Sequence, residues 1–194
     1  MDADTMLKEV AVKLRPAKKD IREAASQLEF VRRKLEEVVP QDVEIGMMGS
    51  AAKGTSLASN REIDIFMLIP KRYTHEQMTK LGLEWAKKAM KGEKTEIGYA
   101  NHPYLKVRRG GFKIDIVPSY KIENARHLGS AVDRSQLHTK YVNARMGKRQ
   151  QDDVRLLKQF CKTLGVYGAE LKVEGFSGYL CELLVLQYGS FAGA

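Results

Sequence analysis

The chain has 194 residues, 33 of them lysine or arginine against 24 aspartate or glutamate, for a formal charge of +9. It is long enough for one large domain or two small ones, and its composition is that of an ordinary soluble globular protein. No apolar run reaches the length of a membrane span and no signal-type segment opens the chain, so a cytoplasmic protein is expected. The excess positive charge points to a polyanionic partner, nucleic acid first, although charge alone fits a merely basic protein equally well.

Thr5 to Leu14 reads as a short helix, broken at Arg15-Pro16, with Pro16 suited to the first turn of the next helix. There Ile21, Leu28, Val31, Leu35 and Val38 form an apolar stripe. Lys18, Lys19, Arg22, Arg32, Arg33 and Lys34 form a basic face, read as solvated rather than RNA-binding. Pro40 ends this helix, and Val43 to Met48 is a first strand that stops at Gly49-Ser50. Ala51 to Leu57 is expected to begin a helical turn, and a second apolar strand runs from Glu62 to Ile69, closed by Pro70. Thr74-His-Glu-Gln77 is a capping box for a helix to about Met90, with Met78, Leu81, Trp85 and Met90 inward.

Thr95 to Tyr99 and Tyr104 to Arg108 are strands, and Arg109-Gly110-Gly111 is a hairpin turn into the strand Lys113 to Pro118. From Ala131 onward helical periodicity dominates, over Asp133 to Asn143, Asp152 to Leu164 and Phe176 to Tyr188. Cys161 and Cys181 fall in apolar helical patterns without metal-ligand spacing and read as reduced core thiols. The change of character sets the expected domains: an α/β catalytic domain over 1–128 and a helical domain over 129–194.

The chemistry concentrates between Met48 and Ile69. Side chains two apart on a strand share a face, so Glu62 and Asp64 lie side by side while Ile63 and Ile65 face the core. Like charges that close raise each other's pKa unless a cation neutralises them, and hard oxygen ligands favour magnesium, with manganese the alternative. Taken alone, Glu-Ile-Asp-Ile also fits a half-exposed strand. Gly49-Ser50, at a strand end, gives a backbone that can approach an anion closely. Asp115 lies on the face opposite Ile114 and Ile116, and three carboxylates from two strands can hold two metals about 3.5–4 Å apart for in-line attack on a phosphate. This pattern resembles the nucleotidyltransferase superfamily that includes DNA polymerase beta. The resemblance implies an α+β fold: a mixed sheet with helices, followed by the start of an α-helical domain.

A narrower resemblance covers nearly the whole chain. Met48-Gly-Ser-Ala-Ala-Lys-Gly-Thr55, Glu62-Ile-Asp-Ile-Phe66, His102-Pro-Tyr104 and Asp115-Ile-Val-Pro-Ser-Tyr120 are similar to segments of the archaeal (class I) CCA-adding enzymes. So are Ala131-Val-Asp-Arg134, His138-Thr139, Val154-Arg-Leu-Leu-Lys158, Gly165-Val-Tyr-Gly-Ala-Glu170 and Gly175-Phe-Ser-Gly-Tyr-Leu-Cys-Glu-Leu-Leu184. The resemblance implies template-independent addition of C, C and A to the 3′ end of tRNA from CTP and ATP. It makes Glu62, Asp64 and Asp115 the metal-binding and catalytic carboxylates of a two-magnesium site. It assigns Gly49, Ser50, Lys53, His138, Lys158 and Tyr167 to the incoming triphosphate and ribose. Without it, Lys158 reads as a solvated helix charge and Tyr167 as a surface turn residue.

Lys53 stands where many relatives have arginine, which keeps the charge but not the bidentate fork. The family continues well past Phe191, so a partial chain of a longer enzyme is expected, with base selection beyond residue 194. The oligomeric state is left open, a homodimer through regions outside this chain included. The alternatives are another template-independent RNA nucleotidyltransferase, of the poly(A) polymerase or oligoadenylate synthetase type, and a non-catalytic RNA-binding member of the fold.

Overall fold

The computed structural model describes residues 2–170 and 172–194. In chain order its elements are α1 (Ala3–Leu14), α2 (Lys18–Glu36), β1 (Glu44–Met48), α3 (Gly49–Ala52), β2 (Glu62–Ile69), α4 (His75–Ala89), β3 (Lys94–Tyr99), β4 (Pro103–Arg109), β5 (Phe112–Tyr120), α5 (Arg134–Asn143), α6 (Lys148–Thr163) and α7 (Gly178–Tyr188). They pack as two compact units, neither continuous in sequence. One comprises residues 18–51 and 61–139, the other residues 1–17, 52–60 and 140–194. Among the described residues no helix is long and apolar enough to cross a membrane.

The first unit is built on a five-stranded sheet of order β1-β2-β5-β4-β3. β2 and β5 pair in parallel, and the remaining pairs are antiparallel. The tight turn between β4 and β5 is made by Gly110 and Gly111, both at positive φ, where a two-residue hairpin needs it. One face of the sheet presents Ile63, Ile65, Met67 and Ile69 of β2, Ile114 and Ile116 of β5 and Leu105 and Val107 of β4. Val31 and Leu35 of α2 and Met78, Ala86 and Ala89 of α4 cover it, together with Met90. Period-2 burial on the strands meets period-3.6 burial on the helices, and the main core results.

The expected capping box is present: Gln77 N donates to Thr74 Oγ1 at 3.2 Å and Thr74 N to Gln77 Oε1 at 2.9 Å. α4 lies close on β5, because a Cβ at Gly82 would stand 2.6 Å from Pro118 Cβ and 3.4 Å from Ile69 Cδ1. Ile21 departs from expectation. It is 57% exposed, and the early turns of α2 are tied instead by Arg61, which pairs with Asp20 at 3.3 Å and Glu23 at 2.5 Å. The helical turn after the first strand also differs, since it starts at Gly49 and ends at Ala52.

In the second unit α6 and α7 pack through Val154, Leu157, Cys161, Cys181 and Val185, with Tyr167 and Phe191 at the margin. Both cysteines are free thiols, and burial with the neighbouring Cys161 pushes Cys181 up to about 12. α1 packs on α6, and Arg15 forks onto Asp152 with Nε–Oδ1 at 2.8 Å and Nη2–Oδ2 at 2.5 Å. The segment 52–60 is held as a strap on α6 and α1. Gln151 donates to Lys53 O at 3.3 Å, Arg155 to Gly54 O and to Ser56 O at 2.9 Å, and Lys158 to Thr55 O at 3.2 Å. Ala58 N donates to Leu14 O at 2.8 Å.

The tight α4–β5 approach makes a prediction. Gly82→Val should destabilise the protein by about 2 kcal/mol, because a proline ring in a strand cannot yield to the added atoms. Urea unfolding would detect this as a lower midpoint at unchanged slope; an unchanged midpoint would show that α4 can shift freely.

Candidate active site

Alternation puts Glu62 and Asp64 of β2 on the sheet face opposite the main core, and Asp115 of β5 on the same face. The parallel register then pairs Asp64 with Asp115 and Glu62 with Lys113. Through the antiparallel partners one rung crosses the whole sheet: Met48, Asp64, Asp115, Lys106, Glu96. The neighbouring rung reads Glu62, Lys113, Arg108, Lys94. Each of these two rungs carries both acids and bases. Lys113 Nζ lies 2.7 Å from Glu62 Oε1 and Lys106 Nζ 3.5 Å from Glu96 Oε1. Further along the face, Met48, Phe66 and Val117 form a small apolar cluster with Leu68, Tyr104 and Val132.

Asp115 is half-buried. Burial raises its pKa above the ordinary aspartate value, against the pull of Lys113, Lys106 and a hydrogen bond from Tyr104. Its Oδ1 is buried without a hydrogen-bond partner among the described residues. The Tyr104 phenol is pushed up by its own burial and by the charges of Asp115 and Asp64. Gly49 has φ +71°, and a Cβ built there would overlap Asp64 Oδ2. The glycine is thus required twice, by its left-handed backbone and by the carboxylate lying against it. Ser50 follows it, half-buried, in α3.

Among the described residues no three histidine, cysteine or acidic side chains converge as a ready-made metal group. Asp64 and Asp115 are nevertheless adjacent hard-oxygen donors, one with an orphaned buried oxygen, and Glu62 is neutralised by a lysine. That donor set fits a divalent cation.

His138 sits half-buried on α5. The entry to α5 is held by the fully buried Asp133 of the Ala131-Val-Asp-Arg134 segment. Its Oδ1 accepts from Ser119 Oγ at 2.8 Å and Tyr120 N at 3.0 Å, and its Oδ2 from Gly129 N at 2.9 Å and Ser130 N at 2.8 Å.

Lys53, Lys158 and Tyr167 belong to the helical unit. Lys158 is 2% exposed and so is no solvated helix charge. Its Nζ donates to Thr55 O, to Thr55 Oγ1 at 3.1 Å and to Glu182 Oε1 at 3.3 Å. Lys53 Nζ meets Glu182 Oε2 at 2.5 Å, and Thr55 Oγ1 donates to Glu182 Oε1 at 2.6 Å. Tyr167 is half-buried, bridged to Phe176, and its hydroxyl lies with Lys158 beside Gly178, where a Cβ would stand 2.9 Å from it. Nothing in the sequence pattern singled out Glu182, because a glutamate in an apolar helix carries no signature until its partners are known.

Residues 26–138, more than half of the chain, match the family described as nucleotidyltransferase domain. The chain belongs to the nucleotidyltransferase family. Residues 152–194 match the family described as tRNA nucleotidyltransferase, second domain. This nucleotidyltransferase is 40% identical over 194 residues to the CCA-adding enzyme of Methanocaldococcus jannaschii, covering 97% of this chain and 43% of that protein. It is 42% identical over 195 residues to that of Thermococcus gammatolerans, covering 98% of this chain and 43% of the relative. The chain spans less than half the length of the curated relatives it matches. The motif resemblance to archaeal CCA-adding enzymes is borne out.

Solved structures share the fold. A cytoplasmic RNA terminal U-transferase superposes with TM-score 0.71 at 20% identity, covering 95% of this chain and 52% of that one. The Cid1 poly(U) polymerase bound to MgATP gives TM-score 0.73 at 20% identity, with 95% and 55% covered. The α+β class and mixed sheet expected from the sequence agree with both.

The Gly49–Asp64 contact is testable by itself. Gly49→Ala should cost more than the roughly 1–2 kcal/mol of a left-handed alanine, because Asp64 must also move. In an Asp64→Ala background the same substitution should cost measurably less. A double-mutant cycle in urea would show this coupling, and strictly additive effects would deny the contact.

Proposed function

We propose that this chain carries the nucleotidyl-transfer chemistry of a CCA-adding enzyme, joining C and A from CTP and ATP to the 3′ end of tRNA without a template. The observation that carries the reading is the rung that sets Asp64 beside Asp115, behind Gly49-Ser50, in a chain about 40% identical to CCA-adding enzymes over nearly all of its length. In chain order we draw the functional division at residues 1–128 and 129–194, with all three carboxylates before it and Lys158 and Tyr167 after it.

Asp64 and Asp115, with Glu62, are the residues that would hold divalent metal, magnesium first. Bound there, such a cation offsets carboxylate and triphosphate charge and acidifies a coordinated hydroxyl. Asp115 is assigned the proton of the attacking 3′-hydroxyl. Its Oδ1 is buried without a hydrogen-bond partner among the described residues, which leaves that oxygen able to accept from the hydroxyl. Lys113 compensates Glu62 when no other cation does. Gly49 and Ser50 offer backbone and hydroxyl to phosphate, while Lys53, His138, Lys158 and Tyr167 are assigned to the triphosphate and ribose. Phosphoryl transfer asks for positioning and charge stabilisation rather than covalent help, which this residue set can supply. The buried thiols suit the cytoplasm, where we place the protein.

The test is incorporation of labelled CTP and ATP into tRNA lacking its CCA end. Asp115→Asn should lower the rate by about 10²–10⁴-fold, as for loss of a general base, while circular dichroism stays unchanged. A folded variant with near-normal turnover would remove Asp115 from the chemistry. ATP binding by Lys158→Ala tests the triphosphate assignment separately, and unchanged affinity would remove Lys158 from it.

A further inference from the structure

The cluster around Glu182 is buried, and its charges do not cancel. Lys53 is 7% exposed, Lys158 2% and Glu182 0%, so two positive charges share one negative one out of water. Glu182 is the hub. Its Oε2 accepts from Lys53, and its Oε1 from both Thr55 and Lys158. Thr55 ties the set together, since its hydroxyl donates to the carboxylate and accepts from Lys158.

A lysine taken out of water tends to lose its proton unless an anion stands beside it. Burial does pull Lys158 below the ordinary lysine value, and Glu182 is the main influence opposing it. The other groups facing Lys158 give little help. Lys53, from the 52–60 strap, works with burial; Cys181 of α7 is a thiol held protonated; the Tyr167 hydroxyl flanks the lysine across Gly178. Arg15 of α1 is engaged with Asp152 on another turn of α6. Without the Glu182 charge, the main influence opposing burial at Lys158 is lost.

We propose that Glu182 is a positioning residue for polyphosphate binding: its buried carboxylate, the hub shared by Lys53, Lys158 and Thr55, holds the two lysine side chains in place for an anion. The proposal rests on the assignment of the two lysines to the triphosphate. Glu182 touches no phosphate and acts through the lysines. It also explains a glutamate amid the apolar residues of α7, where stability alone would favour a hydrophobic side chain.

Calorimetric titration of MgATP into the 194-residue chain tests this, at pH 8 and pH 9, each in two buffers of different ionisation enthalpy. Glu182→Gln keeps the shape and removes the charge. It should bind ATP about tenfold more weakly than wild type, the scale of a charge-assisted hydrogen bond. It should lose more affinity from pH 8 to pH 9 than wild type does, and take up more protons on binding, because burial acts on Lys158 without the opposing Glu182 charge. Wild type should show both effects less strongly, and Glu182→Asp, which keeps the charge, should recover most of the affinity. Should Glu182→Gln not fold, Thr55→Val removes the shared hydroxyl without a charge and should shift affinity the same way, by less. A purely structural Glu182 would lower the melting temperature and leave affinity, pH response and proton uptake of the folded variant at wild-type values, overturning the proposal. Lys158→Ala separates the two levels. Wild-type ATP binding that survives Lys158→Ala, or no binding by wild type, defeats the triphosphate assignment itself. Binding lost in Lys158→Ala but unaltered in Glu182→Gln defeats only the role given to Glu182.

Discussion

The parallel pairing of β2 with β5 in a single register is the constraint on which the rest depends. Asp64 meets Asp115 only because Ile63 meets Ile114 and Ile65 meets Ile116. A slip by one residue would carry the carboxylates into the core and the isoleucines to the opposite face, so burial of those apolar residues is what holds two like charges side by side. The helices that supply the matching apolar surface, α2 and α4, thereby hold the aspartate pair from the far side of the sheet. Gly82 belongs to the same chain of cause, since it lets α4 approach Pro118 on the strand that bears Asp115.

Charge compensation is the second theme. On the exposed face of the sheet, acids are interleaved with lysines and arginine at β-sheet spacing, and Lys113 holds Glu62 while Lys106 and Tyr104 moderate Asp115. In the helical unit the sign is reversed. There a single buried glutamate serves two lysines. The sheet face sets two aspartates side by side, which suits the proposed cation, and the helical unit gathers two lysines on one glutamate, which suits the proposed polyphosphate.

Compactness does not follow chain order. Residues 52–60 lie between β1 and β2 in sequence, yet their carbonyls at Lys53, Gly54, Thr55 and Ser56 are taken by Gln151, Arg155 and Lys158 of α6. A loop without secondary structure must place its backbone polar groups somewhere, and here long side chains of a later helix accept that task. The strap therefore belongs with the helical unit, while the strands before and after it belong to the sheet.

The sequence by itself determined what alternation and spacing can determine. It gave the face shared by Glu62 and Asp64, the strand of Asp115, the capping box at Thr74, the hairpin at Gly110-Gly111 and the apolar helices bearing Cys161 and Cys181. Each is a local pattern, legible because side-chain direction repeats with period 2 or 3.6. What only the tertiary structure decided involves partners far apart in the chain. The pairing of Asp64 with Asp115 rather than another register, the lysine on Glu62, the exposure of Ile21 and the burial of Lys158 all depend on which elements meet. Glu182 shows the difference most clearly. On the sequence it is one acid in an apolar helix, and its role arises from Lys53 and Thr55, more than a hundred residues away, because electrostatic partnership follows distance in space and leaves no periodic trace in sequence.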